Sequence, residues 1–388
     1  MKSSAPAPAS NDSSITAGFL GRVCLLHNYR ESGQMSMKLY AERLGDALLA
    51  KGVVLDRVRP RNLLPSRIRQ AVLLDKLDSY AGRFALYPLI VRRRRADIFH
   101  IVDHGQAFLL RYLDASKTVV TCHDIILLVL ASGRLGSAFS PPFATSVLRR
   151  SLEWMKKTRW IIADSHQTKN DLVTVVGIDP ANIRVIYPGL NYPYRPDAEV
   201  RAGIRSRLGL SGGMLVLQVG QAGFYKNLPG CLRVVAKLRK GGLQVTFVRA
   251  GQRLRPEHLA LLDRLGLRDS VADLGPMTDR DLAGLYAAAD VLLFPSLYEG
   301  FGWPPVEAMA SGLPVVCSRS GSLGEIVGDA ALTAEPEDID GLANQVAAVL
   351  TDPALAQSLR LRGLERARLF DWERSASQVL DVYRQVIK

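Results

Sequence analysis

Glu299-Gly300-Phe301-Gly302-Trp303-Pro304-Pro305-Val306-Glu307 sets two carboxylates on either side of a glycine-bearing loop, with seven residues between them. Immediately upstream, Val291-Leu-Leu-Phe-Pro-Ser296 opens with an unbroken apolar run, the pattern of a strand buried on both faces. Downstream, the two prolines and residues 306–310 read as the start of a short helix, because proline fits a first helical turn. The loop is therefore expected at the carboxyl end of a parallel strand, where open α/β sheets bind ligands. Gly300 and Gly302 let backbone approach a ligand closely, and the amides of residues 301–303 face a helix entrance that favours anions. Glu307 is an acceptor-only group suited to a pair of ribose hydroxyls, and Glu299 can reach a sugar ring.

The rest of the chain repeats this alternation twice. Strands are predicted at 19–27, 53–58, 97–102, 118–122, 160–163 and from 183, with helical segments such as 37–51 between them. A proline-bearing linker at 189–197 follows. A second series has strands at 214–219, 244–249, 271–274, 291–294 and 315–318, with helices near 228–240, 256–266 and 279–289. Two parallel, doubly wound, Rossmann-like α/β domains facing each other across a cleft are implied. We place a tail at 1–17, a first domain at 18–192, a second at 193–373, and a last helix, 374–388, returning to the first. The tail is Ser/Ala/Pro-rich without an apolar core, so it is expected to be a flexible segment and not a signal peptide. Cys24, Cys122, Cys231 and Cys317 stand singly in apolar patterns and are expected as reduced core thiols.

Further candidates sit at predicted strand ends. Gly220 closes the first strand of the second domain and Lys226 follows in its loop, where a lysine can neutralise a departing diphosphate. The segment is neither a Walker A loop nor a GxGxxG fingerprint. In the first domain, His123 and Asp124 end one strand, and His100, Asp103 and His104 lie at the end of the strand before it. These face the cleft from the acceptor side. Arg22, Ser165 and Glu325 occupy comparable edges. Asp338-Ile-Asp340 could be mistaken for a metal-binding DxD pair, but its place at a helix start favours capping.

From Glu299 through Gly312, with Leu313 to Cys317 and Gly321 to Glu325, the sequence resembles the donor site of retaining glycosyltransferases of family 4, built on the two-domain GT-B fold. The resemblance covers most of residues 18–388 and is strongest over 214–372. It implies an enzyme that moves a sugar from a nucleotide-diphosphate donor to an acceptor hydroxyl by front-face transfer, with no bound metal or other cofactor. Gly220, Lys226, Gly300, Phe301 and Gly302 would hold the diphosphate, Glu307 the ribose and Glu299 the sugar, and His123 would face the sugar beside the acceptor. The chain departs from the pattern at Gln221, where many members carry arginine after the glycine. Two alternatives stay open: an epimerase or hydrolase of the same fold, and a non-catalytic nucleotide-sugar-binding subunit.

Charge is distributed unevenly. Of the 50 Lys/Arg and 37 Asp/Glu residues, 28 and 15 fall before residue 196, so the whole net charge of +13 belongs to the first half. No nucleic-acid motif accompanies it, and we expect no nucleic-acid partner. Residues 64–95 interleave aliphatic and aromatic side chains with arginines and end in Arg92 to Arg95. An anionic membrane surface and a glycan or lipid-linked acceptor are the partners this suggests. With no apolar run of spanning length, a cytoplasmic protein, peripheral at the inner membrane face, is expected.

Overall fold

The computed structural model describes residues 21–28, 35–65, 71–134, 142–207 and 213–388. The expected tail and residues 66–70 of the amphipathic stretch lie outside them. Six parallel strands, β1 (Arg22–Leu26), β2 (Val54–Val58), β3 (Ile98–Ile101), β4 (Thr118–Cys122), β5 (Trp160–Ala163) and β6 (Ile183–Val185), form a first sheet in the order β2-β1-β3-β4-β5-β6. A second comprises β7 (Met214–Gly220), β8 (Val245–Gly251), β9 (Val271–Gly275), β10 (Val291–Phe294), β11 (Val315–Ser318) and β12 (Leu332–Ala334), in the order β12-β11-β10-β7-β8-β9. Both are covered by helices, as continuous apolar strands require. Each domain is GT-B-like in its α/β layering, and β7 and β10 lie side by side at the point where the second sheet's strand order reverses. Ligand crevices open at such a point.

The helix Trp372–Val386 packs its Trp372, Ala376, Val379 and Tyr383 into the apolar cluster beneath the first sheet, beside Tyr40, Leu44 and Ile98. The Tyr383 hydroxyl lies 2.6 Å from Nδ1 of His100, whose Nε2 lies 2.8 Å from the Thr121 hydroxyl. This corrects the sequence reading of His100. It is fully buried and lines no cleft, and burial, aided by His123 and His27, pushes its pKa down to about 3. It is a neutral core residue.

Within the stretch at 64–95, residues 72–92 are helical in three joined pieces: Val72–Ala81, a π-helical turn Gly82–Leu86, and Tyr87–Arg92. Tyr87 and Val91 turn inward, while Leu73, Leu77 and Tyr80 stay exposed. All four cysteines are buried and unpaired. Asp338 accepts the Gly341 amide at 2.8 Å as the cap of helix Ile339–Thr351, and Asp340 pairs with Lys237. No helix among the described residues is long and apolar enough to cross a membrane.

Candidate active site

The loop after β7 is shaped by Asn227, which takes a left-handed conformation (φ 51°) after a 3-10 turn at Phe224–Lys226. Its side chain caps the next helix through the Gly230 amide and donates to the carbonyls of Pro295 and Pro336. A backbone bond of 2.7 Å from Leu297 N to the Tyr225 carbonyl ties this loop to the one after β10. That clamp delivers Lys226 to Glu299: the ammonium lies 2.6 Å from Oε1, with both side chains about nine-tenths buried. The Phe294 ring, 5.0 Å from Nζ, closes the lysine from below.

Glu307 stands in the helix Trp303–Ala310, whose N-cap Gly302 adopts φ 98°, a conformation that suits glycine. Pro304 and Pro305 carry no N–H, so the amides left to meet an anion at this helix entrance are those of Gly302 and Trp303. Burial raises the Glu307 pKa to about 7, although the Tyr286 hydroxyl donates to it at 2.8 Å and Tyr194 bonds to it as well. Neither tyrosine was legible as a site residue, because nothing in local spacing brings residues 194 and 286 to position 307.

His123 is held on both sides. Its Nε2 lies 2.8 Å from the Val102 carbonyl, which can only accept, and its Nδ1 lies 2.6 Å from Asp164. Burial opposes the cation, but Asp164, Asp103 and the Val102 carbonyl outweigh it and raise the pKa to about 9. His123 is thus an imidazolium at neutral pH. Both its N–H groups are already spent on Asp164 and Val102, so what it offers a ligand is charge and not a hydrogen bond.

These groups surround one cavity of about 340 Å³, lined by His123, Asp124, Gly220, Gln221, Lys226, Glu299, Gly300, Phe301, Gly302 and Glu307, among others. A second cavity of about 520 Å³, lined mainly by the first domain, contains Asp103, His104 and Asp124 and shares Asp124 and, from the second domain, Gln221 and Tyr225 with the first. Arg249 is fully buried under the backbone of the loop after β7 and donates to the Gly220 carbonyl at 3.0 Å, with Asp273 beside it.

The two domains touch directly at this loop. Ser165 and Thr168 donate to the Gly300 carbonyl at 2.6 and 3.2 Å, and a Cβ on Gly300 would overlap the His123 carbonyl oxygen. Glu325 of the second domain accepts the amides of His166 and Gln167 at 2.8 and 3.2 Å and the Tyr187 hydroxyl at 2.8 Å. Its carboxylate thereby covers the amino end of the helix His166–Asp171, a favourable place for negative charge.

Residues 39–192 match the family model described as Glycosyltransferase Family 4, and residues 202–366 the model described as Glycosyl transferases group 1. O-antigen chain mannosyltransferase B of Escherichia coli is 29% identical over 77% of this chain and 79% of its own. The MMP alpha-(1->4)-mannosyltransferase of Mycolicibacterium hassiacum is 31% identical over 58% of this chain, a match that spans about half of that relative (54%). The fold is shared with Anabaena Alr3699/HepE in complex with UDP-glucose, at a TM-score of 0.72 and 18% identity over 94% of this chain and 100% of the other. With one family model on each half of a two-sheet GT-B architecture, the chain belongs to the glycosyltransferases of the family 4 type.

Proposed function

We propose that the protein transfers a hexosyl group, with retention of anomeric configuration, from a nucleotide-diphosphate sugar in the first cavity to an acceptor hydroxyl presented from the second. The observation that carries this reading is the buried Lys226–Glu299 pair, sharing one cavity with Glu307 at the sheet's switch point. A diphosphate entering there draws the ammonium toward its oxygens, and Glu299, released, accepts from sugar hydroxyls. Glu307 takes the ribose. As the bond from the anomeric carbon to the diphosphate oxygen breaks, Lys226, the helix-entrance amides and the His123 cation stabilise the leaving charge. The acceptor oxygen bonds to the same face, and its proton passes to the departing phosphate oxygen. Asp124, which lines both cavities, would orient that hydroxyl.

Relatives named for mannosyl transfer and a neighbour holding UDP-glucose make mannose and glucose the sugars to try first. Thermal shift with uridine and guanosine diphosphates should pick out the base, because a ligand that binds only the folded state raises its melting temperature. Anomeric NMR of the product then tests retention. Inverted product, or no stabilisation by any nucleoside diphosphate, would refute the proposal.

We further propose that no metal takes part, since Lys226 and the helix entrance supply the positive charge in the cavity. Excess EDTA should leave turnover within about twofold of the untreated rate, a difference below 0.5 kcal/mol in barrier. Activity lost to EDTA and restored by manganese would overturn this.

The acceptor is proposed to be lipid-linked or part of a surface polymer, reached from an anionic membrane surface. The support is the basic first half together with exposed Leu73, Leu74, Leu77 and Leu89 and the exposed run Arg92 to Arg95. Each basic residue at such a surface contributes about 1 kcal/mol. Flotation with phosphatidylserine vesicles should show binding that falls with salt and with Arg92 to Arg95 replaced by serine. Protein that ignores these vesicles at low salt ends the idea.

A further inference from the structure

The second cavity has two chemically different ends. Its inner end is polar and prebuilt. Asn28 is buried, its amide nitrogen donates to Asp103 and also lies 3.6 Å from the Met37 sulfur, and its carbonyl oxygen has no partner among the described residues. Nδ1 of the equally buried His104 lacks a hydrogen-bond partner too, although Asp103 lies 3.4 Å away. Asp103 is held by the Gly105 amide at 2.7 Å, and Arg83 by the Gly105 carbonyl at 2.6 Å and by Gln106. Buried polar atoms are normally bonded, so unpartnered ones in a cavity wall point to a ligand with hydroxyls.

The outer end is aromatic and open. The Tyr80 and Phe84 rings stack at 5.9 Å, and Phe143 meets Tyr80 edge-on at 6.4 Å. These three line the cavity yet remain 46%, 38% and 67% exposed. The π-helical turn Gly82–Leu86 carries Arg83 and Phe84, and such insertions recur at functional sites. From this mouth Leu73 and Leu77 continue the row at helical spacing on the same segment as Tyr80, and both are exposed by more than half. Residues 73 to 84 along one helical face make an apolar track roughly 16 Å long.

We propose that this cavity takes an amphiphilic glycoside: a sugar with its hydroxyls on Asn28, His104 and Asp124, and a hydrophobic aglycone leaving across Tyr80, Phe84 and Phe143 onto the Leu77–Leu73 track. The proposal rests on the glycosyltransferase reading and names the acceptor class for it. Continuity between polar floor and apolar track selects this occupant over a polar oligosaccharide, which would leave the track bare, and over a protein helix, which would leave the floor unused.

Binding of n-octyl and methyl α-D-mannopyranosides and α-D-glucopyranosides, below the octyl micelle concentration and with nucleoside diphosphate present, tests it by calorimetry. The octyl form of at least one sugar should bind tenfold or more tightly than its methyl form. Leu77→Ser/Tyr80→Ser, both exposed positions, should shrink that ratio to below threefold, and Asn28→Leu should weaken both forms alike. Equal affinity of octyl and methyl glycosides, absence of binding by either, or a ratio indifferent to Leu77→Ser/Tyr80→Ser overturns the assignment. Thermal stabilisation by the nucleoside diphosphate is read separately in each variant. Its persistence while the octyl advantage is missing refutes the acceptor class alone, whereas its absence in the wild type refutes the underlying donor reading.

Discussion

Lys226→Ala is expected to cut turnover by about 10² to 10³, the usual cost of losing one preorganised group that meets charge developing in a transition state. It should also destabilise the fold, because Glu299 is left buried opposite an empty space. Breaking a buried pair from one side costs about 3 to 5 kcal/mol. The two effects separate in the double variant Lys226→Met/Glu299→Gln, which removes both charges and keeps the volume. Its melting temperature should recover most of the loss while turnover stays as low as in the single variant. Wild-type turnover by folded Lys226→Ala protein would remove Lys226 from the chemistry.

Glu307→Gln separates binding from stability in the opposite sense. Hydrogen bonds to a charged group contribute about 1.5 to 3 kcal/mol, so losing the carboxylate should weaken donor binding by about 10- to 100-fold. Yet the variant should be the more stable protein at pH 8. Burial raises the Glu307 pKa from 4.5 to about 7, so between these values the folded state holds a proton that the unfolded state has lost. The stability this carries is present in full below pH 4.5 and disappears as pH rises through 7. The difference is on the order of 3 kcal/mol. Denaturant melts of wild type and variant across pH 4.5 to 8 should diverge with the variant ahead, and parallel curves would show that Glu307 is not held neutral. Donor affinity should run the other way in the wild type, rising through pH 7 as the carboxylate ionises.

The strand-loop-helix at 291–310 and the alternation around it were legible because each signal is local: a continuous apolar run, glycines, then prolines at a first turn. β12 was not, since it is three residues long at a sheet edge and carries little pattern. Side-chain partnerships across the fold were least legible. At position 100, sequence showed a histidine near a strand's end. Only the return of the last helix, which sets Tyr383 on its ring, makes it a core residue. The charge on His123 was not legible either, because Asp164, 41 residues away, gives no sign in the sequence of facing it. Glu307, by contrast, was placed correctly in its helix, but its unusual affinity for a proton comes from depth of burial, which spacing does not report.

The contacts of Gly300 and Glu325 with the helix that follows Ser165 bear on how such proteins can be recombined. A carbonyl and a carboxylate from one half are satisfied by hydroxyls and amides of the other, across a separation of more than 130 residues. Exchanging the second half for that of a relative, in order to change the sugar delivered, would also exchange one side of this seam. A chimera should keep its activity when the segments around 165–168 and 325 travel together, and forfeit it when each arrives from a different parent.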